Sequence, residues 1–363
     1  MQSMFKKLLF ICFFIAINQS VLANNFKLEK LTNLNQPWSL TFINENEILI
    51  SEKPGSLILY NKKSKKKLSI PHNLKSNDNG QGGLLEILNF KDDIYICYSE
   101  DRGDKTTSTS IAKAKFSKSG LNFSNIFQAQ PPIKSGYHFG CRMVIKDTQY
   151  LYASIGERGQ GNIAQDPSQH PGSIIRINLD GSIPKNNPKF VNKNNWLPEI
   201  YQIGIRNPQG MTLSTTNNRI YISNHGAQGG DFFGEVKFAE NYGWKIYCWG
   251  GINYTGLKCG DTQEWDKRFT KPLYTWVPSI AVSAVKIYQG KEFKEWNGQI
   301  LLTSLKDQSL RKLEFKNENE VGNEKVLFKN KIGRLRDIKI DQKGKIYLLS
   351  NGDDALWVMK KNN

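Results

Sequence analysis

Histidine is the side chain best suited to proton transfer near neutral pH, and this chain of 363 residues contains only four. One of them, His138, comes shortly before the apolar residues 143–145, which are typical of a strand. A histidine in the loop before a strand is a candidate general base, although many such residues are structural or solvated. We therefore take His138 as the first hypothesis, ahead of His72, His170 and His225.

Four positively charged side chains stand in comparable positions beside short apolar runs: Arg206, Lys306, Arg334 and Arg336. If they share one cavity, their repulsion favours a polyanionic ligand that neutralises them. Arginine also binds carboxylates through two parallel hydrogen bonds. The set predicts a ligand with several carboxylates. The alternatives are a solvated strand pair for Arg334 and Arg336, and an ordinary surface pair for Lys306 and Asp307.

Uncharged and acidic groups complete the candidate site. Glu157 could hold the ring of His138 and stabilise its protonated form, which is the usual arrangement of a base and the group that orients it. Gln81 and Asn207 lie in two separate glycine-containing loops, each before an apolar run, and Gln81 could instead only cap a turn. Gly226 and its neighbours offer closely spaced backbone carbonyls, which suit a hard cation such as calcium.

The elements that must position these residues are short strands. Helical periodicity is almost absent, and apolar runs bounded by Gly, Asn, Asp and Ser dominate. One unit of two such strands recurs six times, and its copies begin at Ser39, Leu84, Arg142, Gly210, Ser283 and Asp337. Six copies predict an all-β fold, a six-bladed β-propeller. A β-sandwich or a parallel β-helix is the alternative.

The ring must also close. We expect the strand at residues 26–31 to pair with the last blade near residues 355–359. In such a ring the loops before each first strand and after each second strand converge on one end of the central channel. The candidate residues share this register, so we expect them to surround a single site.

Residues 1–23 have the pattern of a secretory signal peptide. Two lysines precede an apolar run that is too short to span a bilayer, and small residues follow it. A buried first helix is the alternative. We expect one domain over residues 24–363, located in the periplasm or outside the cell, with no integral membrane segment.

The formal net charge of +17 does not point to nucleic acid. The lysines are scattered, as in residues 62–67, and no basic helix with interleaved aromatic residues occurs. A lysine-rich surface is the simplest interpretation, and attraction of anionic ligands or acidic envelope polymers is the alternative. We expect a monomer or a weak homodimer.

Four cysteines follow the predicted signal peptide. Cys248 and Cys259 flank a Gly-rich turn that brings its ends together, so they are the expected disulfide in an oxidising compartment. Cys97 lies in an apolar strand and is expected to be a buried free thiol. Cys141 is expected only to pack.

Six segments together resemble the soluble quinoprotein aldose sugar dehydrogenases, relatives of soluble glucose dehydrogenase that use pyrroloquinoline quinone. The resemblance covers nearly the whole chain after the leader, and its most specific segments are residues 80–85, 138–142, 204–211, 241–244, 304–307 and 334–337. It implies a six-bladed propeller. It also implies oxidation of the C1 hydroxyl of an aldose sugar to a lactone, with hydride transfer to the quinone and an electron acceptor that the sequence does not identify.

The resemblance also implies catalytic roles. His138 would take the proton from the anomeric hydroxyl, Glu157 would orient His138, and Arg206 would polarise a quinone carbonyl. Calcium would bind the quinone and the backbone carbonyls of Gly226 and Ala227. The remaining implied cofactor contacts are Gln81, Asn207, Ser279, Lys306, Arg334 and Arg336.

The chain departs from the family at four positions. One is Cys141, which stands where relatives have the second glycine of a Gly-Gly-Arg segment. Ala227 stands where the family usually has proline. Phe232 stands where the family usually has glutamate, so the resemblance implies a second calcium site only if Glu235 takes the place of that glutamate. Tyr137 replaces an acid that touches sugar in the glucose enzymes, so substrate preference does not transfer. Two other functions stay open: a carbohydrate- or glycoprotein-binding propeller without catalysis, and a calcium-dependent lactonase.

Overall fold

The computed structural model of the protein describes residues 26–188, 195–260 and 266–362. The predicted signal peptide therefore lies outside the described residues. Across those three ranges, no helix is both long and apolar enough to cross a membrane.

The described residues form six four-stranded antiparallel sheets, each made of strands consecutive in the chain except where the ring closes. Blade 1 comprises β2 (Pro37–Phe42), β3 (Glu47–Glu52), β4 (Ser56–Asn61) and β5 (Lys67–Ser69). Blade 2 comprises β6 (Leu84–Phe90), β7 (Asp93–Asp101), β8 (Thr107–Lys115) and β9 (Ser124–Gln128). Blade 3 comprises β10 (Gly140–Lys146), β11 (Tyr150–Ile155), β12 (Ser173–Asn178) and β13 (Ile200–Gln202).

The second half of the ring repeats this arrangement. Blade 4 comprises β14 (Pro208–Leu213), β15 (Ile220–Asn224), β16 (Asp231–Glu235) and β17 (Tyr274–Trp276). Blade 5 comprises β18 (Val282–Ile287), β19 (Ile300–Ser304), β20 (Ser309–Asn317) and β21 (Glu320–Lys329). Blade 6 comprises β22 (Leu335–Ile340), β23 (Ile346–Ser350), β24 (Ala355–Lys361) and β1 (Phe26–Asn33). Two short 3-10 helices, Gly161–Gln165 and Lys294–Trp296, lie in connections. The predicted six-bladed propeller is confirmed.

The ring closes between the two ends of the chain. β1 pairs with β24, and Leu28 lies opposite Met359 in that ladder. This is the predicted closure. Because every sheet then packs between two neighbours, the propeller leaves only short outer edges exposed to unwanted pairing.

The core lies between neighbouring blades. Leu40 and Ile50 of blade 1, for example, pack with Leu349 and Val358 of blade 6, and none of the four is more than 2% exposed. Burial of an aliphatic side chain of this size contributes about 1.5–3 kcal/mol. Apolar packing therefore fixes the blades relative to one another and holds their inner ends in place around the channel.

Two disulfides are present among the described residues. Cys248 pairs with Cys259, as predicted. Cys97 pairs with Cys141, so the prediction of a free thiol at Cys97 and of mere packing at Cys141 is wrong. The reason lies in the ring: β7 of blade 2 packs beside β10 of blade 3, which brings together two cysteines 44 positions apart.

Every inner strand has an irregular register near its first residue. The six irregularities occur between Pro37 and Ser39, Leu84 and Ile87, Gly140 and Met143, Pro208 and Gly210, Val282 and Val285, and Leu335 and Asp337. Bulges redirect side chains and are common beside functional sites. All six lie at the same end of the channel, which is the end that carries the predicted site residues.

Candidate functional site

A cavity of about 450 Å³ opens at the bulged end of the channel, and we call it the central cavity. All six blades contribute to its wall. Its lining includes Trp38, Gln81, Asn207, Gln209, His225, Arg334, Arg336 and Asn351. The structure thus brings Gln81, Asn207, Arg334 and Arg336 together, although up to four blades separate them in the sequence.

Arg336 is the most constrained cation of the central cavity. Its Nε donates to Oδ1 of Asn351 at 2.8 Å, and its Nη1 donates to Oε1 of Gln209 at 2.8 Å. Burial, together with the nearby guanidinium groups of Arg142 and Arg334, lowers the pKa of Arg336 to about 9. A carboxylate ligand in the cavity would relieve this repulsion, so the residues fit a polyanion.

A buried ionic network lies directly below this cavity. The guanidinium of Arg142 contacts carboxylate oxygens of Glu86 and Asp337, the latter at 3.0 Å, and Lys339 lies 2.6 Å from Glu86. Burial opposes ionisation of Asp337, but Lys339 and Arg142 outweigh it and lower the pKa of that carboxyl. Glu86 and Asp337 therefore neutralise Arg142 and Lys339 inside the channel, and Lys286 adds a third cation that interacts with both acids.

Arg142 also connects this network to the cavity wall. Its Nε donates to the carbonyl of Gln209 at 2.7 Å, and its Nη2 donates to the carbonyl of Arg336 at 2.9 Å. The same guanidinium lies 4.0 Å from the ring centre of Trp38. One side chain thus fixes the backbone on both sides of the Gln209–Arg336 hydrogen bond.

A second, smaller cavity of about 250 Å³ adjoins the first, and we call it the histidine cleft. His138, Glu157, Arg206, Ala227 and Trp244 line it. The two cavities are adjacent, since the backbone N–H of His138 donates at 3.0 Å to Oε1 of Gln81, which lines the central cavity.

Close backbone contact fixes His138 in the cleft. His138 has a φ of 50°, a conformation that residues other than glycine rarely adopt and that often marks functional sites. A Cβ at Gly156 would lie 2.0 Å from the carbonyl oxygen of His138, and a Cβ at Gly140 would lie 2.7 Å from the nitrogen of Gly156. Only glycines at these positions let the segment of His138 lie against that of Glu157.

His138 and Glu157 form a hydrogen-bonded pair. Nδ1 of His138 contacts Oε1 of Glu157, and the other carboxylate oxygen accepts from the backbone N–H of Gly161. Burial lowers the pKa of His138, although Glu157 partly counteracts that effect. Burial would raise the pKa of Glu157, but the bond to His138 and neighbouring charges prevail and lower it. The pair is therefore a neutral imidazole beside a carboxylate at neutral pH, as a general base requires.

Arg206 and Trp244 leave buried donors unused in this cleft. The guanidinium of Arg206 lies 5.2 Å from the ring centre of Trp244, and neither Arg206 Nε nor Trp244 Nε1 has a hydrogen-bond partner among the described residues. Buried donors without partners cost free energy. A ligand oxygen in the cleft would fit this donor set.

The predicted cation ligands lie at the edge of the same cleft. Gly226 donates its N–H to Oδ1 of Asp231 at 2.9 Å, and Ala227 is 4% exposed. Within the described ranges, no donor reaches the carbonyl oxygens of Gly226 or Ala227, and no three His, Cys, Asp or Glu side chains cluster as metal ligands. The free carbonyl oxygens fit a hard cation that would rest mainly on backbone groups.

Two predicted cofactor contacts are not brought into these cavities. Lys306 has an exposed side chain at the rim, next to Leu305, which does line the central cavity. Of the four cations expected around one cavity, Arg334 and Arg336 line the central cavity, Arg206 lines the adjoining cleft and Lys306 lies at the rim. Ser279 donates to Oδ2 of Asp231 at 2.8 Å, outside both linings.

The other three histidines have structural partners. His72 Nε2 lies 2.9 Å from the carbonyl of Gly55, and His170 Nδ1 accepts from the N–H of Gln130 at 2.9 Å. His225 lines the central cavity, and burial lowers its pKa to about 4. Its ring is therefore neutral and contacts a backbone carbonyl, which shapes the wall without adding charge.

Sequence reasoning missed Arg158. This side chain is 2% exposed and stacks on Phe139 at 3.7 Å. Its Nε donates to the carbonyl of Tyr137 at 3.0 Å, and its other nitrogens bind Thr107 and the carbonyl of Ser135. Arg158 thereby holds the loop that carries His138. Its position beside Glu157 was the only available signal, since an isolated arginine is usually exposed.

Comparisons with known proteins identify the family of the chain. A family model for glucose/sorbosone dehydrogenases matches residues 34–358. Aldose sugar dehydrogenase YliI of Escherichia coli (strain K12) is 31% identical over 330 residues, which cover 88% of each chain. Quinoprotein glucose dehydrogenase B of Acinetobacter calcoaceticus is 28% identical over 76% of this chain and 63% of its own. The crystal structure of the soluble E. coli aldose sugar dehydrogenase in its apo-form superposes with a TM-score of 0.86 at 29% identity, over 93% of this chain and 99% of the other.

Proposed function

The chain belongs to the glucose/sorbosone dehydrogenase family, and on that basis we propose that it oxidises the C1 hydroxyl of an aldose sugar to the lactone, with pyrroloquinoline quinone as cofactor. The observation that carries the proposal is the His138–Glu157 pair directly beside a cavity walled by arginines. That arrangement combines a general base with a receptor for carboxylates.

The central cavity would hold the cofactor. Arg334 and Arg336 would bind its carboxylates, with Lys306 adding charge at the rim, and Gln81 and Asn207 would offer amide groups to its edge. The quinone, when bound, supplies the two-electron acceptor for the hydride that leaves C1. Arg142 supports this function from below because it fixes the backbone of Arg336.

His138 would perform the proton transfer. Its Nδ1 is engaged by Glu157, so Nε2 is the nitrogen that accepts the proton of the anomeric hydroxyl. As that O–H bond breaks, the C1–H bond yields its hydride and a C1–O double bond forms. Glu157 stabilises the imidazolium that results, and the buried setting keeps His138 neutral before the reaction.

The remaining cleft residues would stabilise charge. Arg206 would polarise a cofactor carbonyl, since the residue is only 5% exposed and its Nε lacks a partner among the described residues. Calcium held by the carbonyls of Gly226 and Ala227 would act as a Lewis acid there. Ser279 would act through Asp231, which binds both Ser279 and Gly226.

An extracytoplasmic location supports this function. The chain has two disulfides, and one of them, Cys97–Cys141, joins blades 2 and 3. Disulfides are typical of proteins in oxidising compartments. We place the protein in the periplasm, where it would pass electrons to an acceptor of its own compartment.

Reconstitution tests the proposal directly. Purified protein supplied with pyrroloquinoline quinone and calcium should reduce a redox dye in the presence of at least one aldose. Spectral titration should show uptake of the quinone, which a carbohydrate-binding propeller or a lactonase would not take up. Uptake without oxidation of any sugar in a broad panel would refute the activity, and absence of uptake would refute the cofactor.

A further inference from the structure

The loop between Cys248 and Cys259, which we call the disulfide loop, has no role in the function proposed so far. It lies against residues 226–230, which we call the carbonyl loop because Gly226 and Ala227 present free carbonyl oxygens there. The N–H of Gln228 donates to the carbonyl of Ile252 at 3.0 Å, which joins the two loops by a backbone hydrogen bond.

The two backbones touch with no side chain between them. A Cβ at Gly251 would lie 2.5 Å from Cα of Gly229, and a Cβ at Gly229 would lie 2.8 Å from Cα of Gly251. A Cβ at Gly230 would lie 2.0 Å from the carbonyl oxygen of Cys248. A real Cβ does not approach other atoms this closely, so the contact depends on glycine in both loops.

The disulfide itself forms the other half of the contact. Ala227, Cys248 and Cys259 are each 4% exposed and form one apolar cluster, with Trp244 packed against it. The side chain of Ala227 therefore rests on the cystine. On its opposite side, the carbonyl loop is tied to Asp231 through Gly226.

The disulfide loop itself is largely open to solvent. Tyr254 and Leu257 are 66% and 71% exposed, although Asn253 reaches the histidine cleft and Tyr254 lies 5.9 Å from the guanidinium of Arg206. A loop with so little buried side-chain surface depends on its covalent closure to keep one conformation.

We propose that the disulfide loop is a positioning element for the cation: by fixing residues 227–230 it holds the carbonyl oxygens of Gly226 and Ala227 in the directions that binding requires. The inference rests on the proposed function. It assigns Gly251 and the Cys248–Cys259 disulfide a role in calcium affinity, although none of these residues supplies a ligand. Groups that orient metal ligands typically change metal affinity by about ten- to a hundredfold.

A matched pair of glycine substitutions tests the contact. Gly251 and Gly256 both have a φ of 83°, so alanine is strained equally at both, but a Cβ at Gly256 meets no atom within 4 Å. The readout is the calcium concentration that gives half-maximal quinone uptake, followed by quinone absorbance. We expect Gly251→Ala to raise this concentration by about tenfold or more and Gly256→Ala to leave it within about twofold.

A second variant removes the closure instead of the contact. Cys248→Ala/Cys259→Ala should raise the calcium requirement like Gly251→Ala, and amide exchange at Gln228 and Gly230 should quicken in both. Equal calcium requirements in wild type, Gly251→Ala and the double variant would overturn the inference while leaving the proposed function intact. Failure of the wild type to take up quinone at any calcium concentration would instead refute the proposed function, and the inference with it.

Discussion

The central cavity and the histidine cleft lie side by side but are held together by different forces. In the central cavity, side chains from six blades meet, and Arg142 below them fixes the backbone of Gln209 and Arg336. In the cleft, backbone segments touch through glycines, and the key groups are a His–Glu pair and donors without partners. The first region is built to match charge, and the second is built to fix geometry.

This difference suggests a division of labour. Interactions that are equally strong in the ground state and the transition state set binding, whereas those gained only in the transition state set turnover. If the central cavity binds the cofactor and the cleft carries out the proton transfer, substitutions in the cavity should change cofactor affinity. Substitutions in the cleft should change the rate at saturating cofactor.

The largest expected effect is that of His138→Ala. Removal of a general base typically costs two to four orders of magnitude in rate, so we expect dye-linked kcat to fall by about that factor. Quinone affinity, measured by absorbance titration, should stay close to that of the wild type. Full activity in this variant would remove His138 from the mechanism, and lost quinone uptake would break the division between the two cavities.

Arg336→Ala should show the opposite pattern. Loss of a charge-assisted contact in a partly buried site costs about 1.5–3 kcal/mol, which corresponds to roughly ten- to a hundredfold weaker quinone binding. At saturating quinone, kcat should change little.

Lys306→Ala is the companion variant. The side chain of Lys306 is exposed at the rim, where an ion pair contributes at most about 1 kcal/mol. The affinity for quinone should therefore fall by less than about fivefold. Equal losses in both variants would contradict the distinction between interior and rim.

Glu157→Gln should lower the rate less than His138→Ala does, but it should give a diagnostic change in pH dependence. Burial lowers the pKa of His138 and Glu157 raises it, so removal of the carboxylate should lower that pKa further. Because the base works when deprotonated, the acidic limb of the kcat/KM profile should move to lower pH. The kcat should fall by about tenfold with the loss of one charge-assisted hydrogen bond. A shift of the acidic limb to higher pH would contradict the role of Glu157 as the group that stabilises protonated His138.

The ring itself could be predicted because its signals are local. Strand alternation and turn residues repeat six times, and the pairing of Leu28 with Met359 follows from the need to close the ring. The Cys97–Cys141 disulfide could not be predicted in this way. Cys97 and Cys141 lie in different blades, and their proximity depends on how the two sheets pack. The sequence around each cysteine does not encode that packing.

The site was predictable in part for a similar reason. His138 precedes the first strand of one blade and Arg336 lies at the start of the first strand of another, so the topology places both at the same end of the channel. The exposed position of Lys306 and the buried position of Arg158 depend on single side-chain directions in irregular loops. Residue type alone predicts an exposed arginine, whereas Arg158 is buried because its nitrogens find hydrogen-bond acceptors and its guanidinium stacks on Phe139.

The bulges at the start of all six inner strands have a consequence for how such a protein can change. Because each irregularity is confined to the first residues of a ladder, insertions and substitutions at that end leave the remaining pairs of the sheet in register. Loops at this end can therefore change, in evolution or by design, and alter substrate preference without disturbing the strand pairing that closes the ring. A library restricted to the loops at the bulged end should yield folded proteins far more often than one restricted to the middle of the inner strands.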